Sequence, residues 1–239
     1  IINSSDLKKI NKIDLKKVKG MIESFTIKEE KFIKEIYYVN LGVSFNRKKI
    51  FNYLEENNIF PSSPVKIKFL FIPIIIDQST NDLLIFDKNK IFSEWNKELK
   101  SYHLIEYILP TEDLEDINII KSKSEFIEQY DFKEITDKYN LENSIIALIF
   151  KEKKKIRILS KITNKEDVLI KNQSFSNLEL DDNAQVNLII DELKLIYEDY
   201  WKASNQINTS IKLNLDIKIN NSNYLKISKF EKILNETDL

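Results

Sequence analysis

Carboxylates are the one chemically capable group that this chain gathers closely. Glu112, Asp113, Glu115 and Asp116 stand almost side by side after Pro110. Such a cluster can bind a hard cation through oxygen, or supply the paired acid and base of a hydrolase. It lacks the alternating ligands and the glycine of a calcium loop. If residues 113–118 are helical, Asp113 and Asp116 share one face. Acids in a first turn also stabilise a helix by facing the positive end of its dipole. The same residues therefore read either as a site or as a helix start.

The remaining catalytic kit is thin. There is no cysteine and one histidine, His103. That excludes disulfides, thiolate metal sites and cysteine nucleophiles, and it leaves no zinc site of the usual kind. A histidine-based triad would need His103 itself as the base. His103 sits at a strand start between Tyr102 and Leu104, where a structural role is expected. The only two glycines, Gly20 and Gly42, make no phosphate loop and no nucleotide fingerprint. No catalytic, cofactor-binding or metal site is therefore assigned. Trp95, Trp201, Tyr197 and Tyr200 could form an aromatic platform for a ligand, but at helical spacing such residues serve as core. Trp95, Glu112, Asp113 and Asp116 remain as binding candidates.

Charge excludes some partners. Lysine and arginine total 37 against 38 acids, so no net field draws the chain to nucleic acid or acidic lipid. The Lys151–Lys155 run lies in a hairpin without interleaved aromatics and does not read as a nucleic-acid site. Arginine, alanine and glycine are rare while Ile, Lys, Asn and Phe abound, the bias expected of an AT-rich genome. The apolar run Phe69–Ile76 is too short to span a bilayer and reads as a buried strand. The chain opens on Ile1 rather than Met, so it is expected to be a piece of a longer protein.

The elements that would position these residues follow from periodicity. Residues 5–20 read as one helix with six lysines against two aspartates, a solvated face. Residues 22–28 look extended. Tyr37, Val39, Leu41, Val43 and Phe45 alternate, which predicts a strand with one buried face. Asn46 caps a short helix carrying Ile50, Phe51 and Leu54. Val65–Ile76 is apolar on both faces and reads as a central strand. This strand–helix–strand order suggests a parallel crossover. Asn89 caps a helix over 90–100, His103–Leu109 is a strand, and Ser122 with Glu125 forms a capping box. Ser144–Phe150, Lys155–Ile162 and Val168–Phe175 form an antiparallel meander, with an edge that could accept a partner strand. A long helix follows over 183–204. Ile211, Leu213, Leu215, Ile217 and Ile219 alternate again, and Ser228 with Glu231 opens a last helix.

Three short signatures stand in this ordering: Ile22-Glu23-Ser24-Phe25-Thr26-Ile27 followed by Glu29-Glu30-Lys31-Phe32 and the strand Tyr37–Phe45; Phe86-Asp87-Lys88-Asn89 leading into Trp95; and Pro110-Thr111-Glu112-Asp113-Leu114-Glu115-Asp116. With them the ordering resembles the proteobacterial domain of unknown function family 2066. The resemblance covers most of residues 5–235. Two positions depart from it. Ile91 stands where the family often has a second tryptophan, and Glu112 where it often has glycine. Members usually carry an N-terminal export signal, so the resemblance implies a periplasmic or envelope setting and no particular chemistry.

The expected fold is α/β: helices packed on a mixed parallel and antiparallel sheet with an antiparallel meander. Residues 1–21 are expected to form an N-terminal helix, 22–206 the main mixed domain, and 207–239 the start of a truncated second small α/β domain. The expected function is a non-catalytic binding or scaffold domain of the bacterial envelope, without a cofactor, whose partner is a protein or envelope component. The alternative is a carboxylate-based hydrolase or cation-binding enzyme centred on residues 112–116. A concave pocket holding Asp113 with a second carboxylate favours the enzyme, and a solvated helix start favours the binding domain.

Overall fold

A computed structural model describes residues 1–97, 102–165, 167–207, 228–230 and 232–233. The chain divides into two compact units, Ile1–Ile207 and Asn208–Leu239. The expected strand at 211–219 and Glu231 of the last capping box lie outside the described residues.

Among the described residues, the first unit is built on a six-stranded mixed sheet. Its centre is β3 (Ile67–Asp77) and β6 (Asn143–Glu152), which pair in parallel, as Ile72 with Ile146 and Ile74 with Leu148. Strands β7 (Lys155–Asn164) and β8 (Asp167–Ser176) continue from β6 as the expected antiparallel meander. The outer edge of β3 is shared end to end by β5 (Ile105–Ile108), parallel to its first half, and the short β4 (Asp82–Leu84), antiparallel to its end. Pro73 falls in the gap between them. Its carbonyl accepts a hydrogen bond from Asn89 Nδ2 at 3.0 Å, so its missing N–H faces an edge where no ladder needs it.

Both sheet faces are covered, because β3 and β6 are apolar on both sides. On one face Phe69, Phe71, Ile145, Ala147 and Ile149 pack against the long helix α7 and the short α4, whose ranges are Asn183–Ser204 and Lys90–Glu94. On the other, Leu70, Ile72, Ile146 and Leu148 pack against α5 (Leu114–Ser122) and α6 (Lys133–Thr136). The mixed α/β fold expected from the sequence is the one observed. Asp182 caps α7 by accepting from Ala184 N, and Asn89 caps α4 through Ile91 N and Phe92 N.

Four local expectations are corrected. The N-terminal helix is two helices, α1 (Ser4–Ile10) and α2 (Leu15–Met21), because Asp14 caps a new start instead of continuing the first. The helix capped by Asn89 ends at Glu94. Ser122 and Glu125 form no capping box: Ser122 is the last residue of α5, and its hydroxyl donates back to Ile119 O at 2.7 Å. The crossover is also absent. The strand before α3 (Arg47–Glu56) does not join β3, whose parallel neighbours are β5 and β6. It pairs instead with the segment before it, as described next. The N-terminal residues group with the body, where Ser62 N donates to Ile1 O at 2.7 Å and Ser4 N donates to Asp199 Oδ1 at 2.9 Å.

Candidate binding surface

The acidic cluster is built into the fold as a helix start and a clamp. Asp113 caps α5, its side chain accepting from Glu115 N at 2.9 Å. Asp116, one turn on, is only 1% exposed. Its Oδ1 meets Lys138 Nζ at 2.7 Å, Glu115 Oε2 meets the same ammonium at 2.9 Å, and Asp113 Oδ2 lies 3.6 Å away. Hydrogen bonds to Asp116, then Glu115, hold the Lys138 ammonium well above its ordinary range. Thr111 N donates to Tyr139 Oη at 3.0 Å, so two contacts fasten this helix to the turn at Asp137–Tyr139. Glu112 is solvent-exposed. A carboxylate already neutralised by an ammonium is a poor general base and a poor cation ligand. Among the described residues no group of three metal-ligating side chains converges.

Trp95 is core. It is fully buried and stacked on Phe71 with ring centroids 3.8 Å apart, edge-on to Tyr107 at 5.2 Å. Lys194, also buried, donates to the Trp95 carbonyl at 2.6 Å with its ammonium 5.4 Å from the ring centroid. Trp201 is buried against Phe69 and donates through Nε1 to Val65 O at 3.1 Å. The four aromatic residues do not form an exposed platform. His103 is half-buried with its ring edge-on to Tyr102 at 5.0 Å. A cavity of about 210 Å³ lies beside Phe150, Arg157 and Phe175, and one of about 110 Å³ beside Glu94, Asp191 and Lys194. Neither is lined by residues 112–116.

The feature that stands out lies elsewhere. β1 (Ile22–Ile33) and β2 (Ile36–Phe45) pair antiparallel as a two-stranded ribbon, a sheet of its own. All of its residues are exposed except Ile22 and Gly42, which are half-buried. This overturns the expected buried face at Tyr37–Phe45. The strand forms and its alternation is real, but the face meets solvent, with Tyr37, Val39, Leu41, Val43 and Phe45 all exposed.

Cross-strand partners share a face, so the register separates two sides. One side carries the pairs Phe25/Val43, Ile27/Leu41, Glu30/Val39 and Phe32/Tyr37, with Phe45 at the base. The other carries Ser24/Ser44, Thr26/Gly42, Glu29/Asn40 and Lys31/Tyr38, with Ile33/Ile36 beside the turn. A bulge between Ile27 and Glu29 keeps both sets in phase by leaving Lys28 out of the pairing. The ribbon is therefore amphipathic. Its polar side is laced by a Lys31–Glu29 ion pair at 2.5 Å, and Lys28 lies over Gly42 where a Cβ would otherwise stand. The apolar side has one charge, Glu30. The Tyr37 phenol is held above its usual range by desolvation and then by its hydrogen bond to this carboxylate.

The base of the ribbon is anchored. Asn46 N donates to Met21 O at 2.8 Å, and Lys49 Nζ donates to Gly20 O at 2.9 Å, tying α2 to the start of α3. The tip is a two-residue turn in which Lys34 and Glu35 both adopt positive φ, 46° and 65°. A two-stranded ribbon is marginal alone in water, and this one presents a contiguous exposed apolar face. The alternation predicts the strand and its apolar side, but not whether a further layer covers that side. The signal that could have separated the cases is the preceding segment, where Phe25, Ile27 and Phe32 are set among charges. That pattern gives a partner strand but no further layer to cover the pair.

Comparisons of the chain with protein-family models, curated proteins and solved structures found no match.

Proposed function

We propose that this chain is a non-catalytic binding or scaffold protein that engages a protein partner through the apolar side of the β1–β2 ribbon. The observation carrying this reading is the ribbon itself: one side nearly all apolar, the other polar, both exposed. Binding needs only such a surface, whereas nucleophilic catalysis needs an activated nucleophile with a base in hydrogen-bond reach. The carboxylates at 113–116 are occupied as cap and clamp around Lys138. The envelope setting rests on the resemblance to domain of unknown function family 2066. No helix among the described residues is long and apolar enough to cross a membrane.

An activity screen on purified protein against esters, phosphates and glycans tests the non-catalytic half. No turnover is expected from the native chain. Asp116→Ala is expected to lower the thermal midpoint, because it leaves Lys138 without its closest carboxylate and opens a buried site at α5. Turnover that either Asp113→Ala or Asp116→Ala abolishes in a folded protein would establish the acidic-site enzyme instead.

A further inference from the structure

We infer that the occupant of the ribbon's apolar side is a second copy of this chain, the two ribbons packing face to face into a four-stranded sandwich. This rests on the binding reading above and names its partner. Three observations carry it.

The first is area. The eight apolar side chains on this side are between 42% and 72% exposed, four of them aromatic. At the usual size of such side chains they present roughly 800 Å² of surface, the contribution each partner makes to a stable interface of standard size. Two copies of this one side are therefore enough for a stable dimer.

The second is symmetry. A two-fold interface requires one patch that complements itself. β2 places Phe45, Val43, Leu41, Val39 and Tyr37 in a single row on this side, with Leu41 at its middle. An antiparallel pairing of two such rows sets Leu41 against Leu41 of the other copy and the ends against each other. Sheets packed in this way lie about 10 Å apart, close enough for the two rows to interdigitate.

The third is charge. Glu30 is the only charged side chain of this side and lies toward the tip. A parallel pairing would oppose two Glu30 carboxylates. The antiparallel pairing moves each toward the other copy's ribbon base. There α2 carries Lys16, Lys17 and Lys19, with Asp14 at its start, and α3 begins Arg47-Lys48-Lys49. The antiparallel pairing is the one that charge complementarity selects.

The chain has no cysteine, so a single introduced thiol is a clean probe. Leu41→Cys on the apolar side and Asn40→Cys on the polar side are adjacent and both exposed. The chain is run by sedimentation equilibrium. Each thiol variant is then treated with a bis-maleimide of about 10 Å reach, matched to the spacing of packed sheets. The native chain is expected to sediment as a dimer. Leu41→Cys should cross-link to itself, Asn40→Cys should cross-link at least tenfold less, and Leu41→Glu should sediment as a monomer with an unchanged far-ultraviolet circular dichroism spectrum.

A native chain that stays monomeric throughout the micromolar range overturns the proposal. So does equal cross-linking from positions 40 and 41, or a dimer that Leu41→Glu leaves intact. Vesicles of anionic phospholipid form a separate arm. A monomer that floats with them, and ceases to with Leu41→Glu, replaces the second copy by a lipid surface and leaves the ribbon as a docking face. A monomer that neither floats nor yields a cross-link from the ribbon in cells removes the binding reading as well.

Discussion

Trp95→Ala is expected to lose about 3–5 kcal/mol of folding stability. The indole is fully buried between the sheet and α7, stacked on Phe71 and in ring contact with Tyr107 and Tyr197. Truncation removes the stack and leaves a cavity beside the buried Lys194 ammonium, whose carbonyl acceptor belongs to residue 95. Trp95→Phe keeps an aromatic ring against Phe71. It also removes an indole N–H that has no hydrogen-bond partner among the described residues, so its cost should be clearly smaller. Urea denaturation measures both, with the midpoint shifted and the slope unchanged. A Trp95→Ala chain within about 0.5 kcal/mol of the native one would mean that the side chain is a surface ligand platform instead of core.

Glu198 is the second position of large effect. It is a buried carboxylate on α7 that receives the backbone at the start of β5: Leu104 N at 2.9 Å and Ile105 N at 2.9 Å. Lys202, one turn on, is also buried, with its ammonium 4.0 Å away. Glu198→Ala strands two amide donors and a buried cation, and is expected to cost about 3 kcal/mol. Burial raises the Glu198 pKa, against the smaller pull of its two backbone hydrogen bonds. A carboxyl raised on folding favours the protonated form in the native state. Its contribution is complete below the unfolded value of about 4.3 and is lost as pH rises through the folded one. Glu198→Gln is expected to flatten the pH dependence of unfolding in that window. An unchanged pH profile would show that Glu198 titrates in the native chain as it does unfolded.

The interior of this protein is legible in its sequence because burial there is written twice. β3 and β6 are apolar at consecutive positions, so no choice of register could expose them. The three meander strands and α7 likewise stand close to where alternation and helical spacing put them. The ribbon was legible only in part. Period-two alternation fixes which residues share a face, but not whether another layer arrives to cover it. The hairpin was hidden for a second reason. Its turn is Lys34-Glu35, two residues in a conformation that usually calls for glycine or asparagine, in a chain that has only two glycines. Without that signal the second strand looked like the opening of a crossover. Of the binding candidates, Asp113 and Asp116 are where a helix start would put them, and the Lys138 that neutralises them comes from a turn over twenty residues away. Trp95 is core through contacts with β3, β5 and α7 that no local pattern encodes.

The central claim is that one side of the ribbon, and not the other, meets a partner. Adjacent tyrosines make this directly measurable. Tyr37 lies on the apolar side and Tyr38 on the polar side, and they are similarly exposed, at 56% and 51%. Each can be replaced in turn by a photoreactive phenylalanine derivative, which resembles tyrosine in shape, and irradiated in living cells. Because access is equal, any difference in yield reports which face is covered. A discrete protein adduct from position 37 with none from position 38 is the expected result; no adduct from either position, or equal adducts from both, would contradict it.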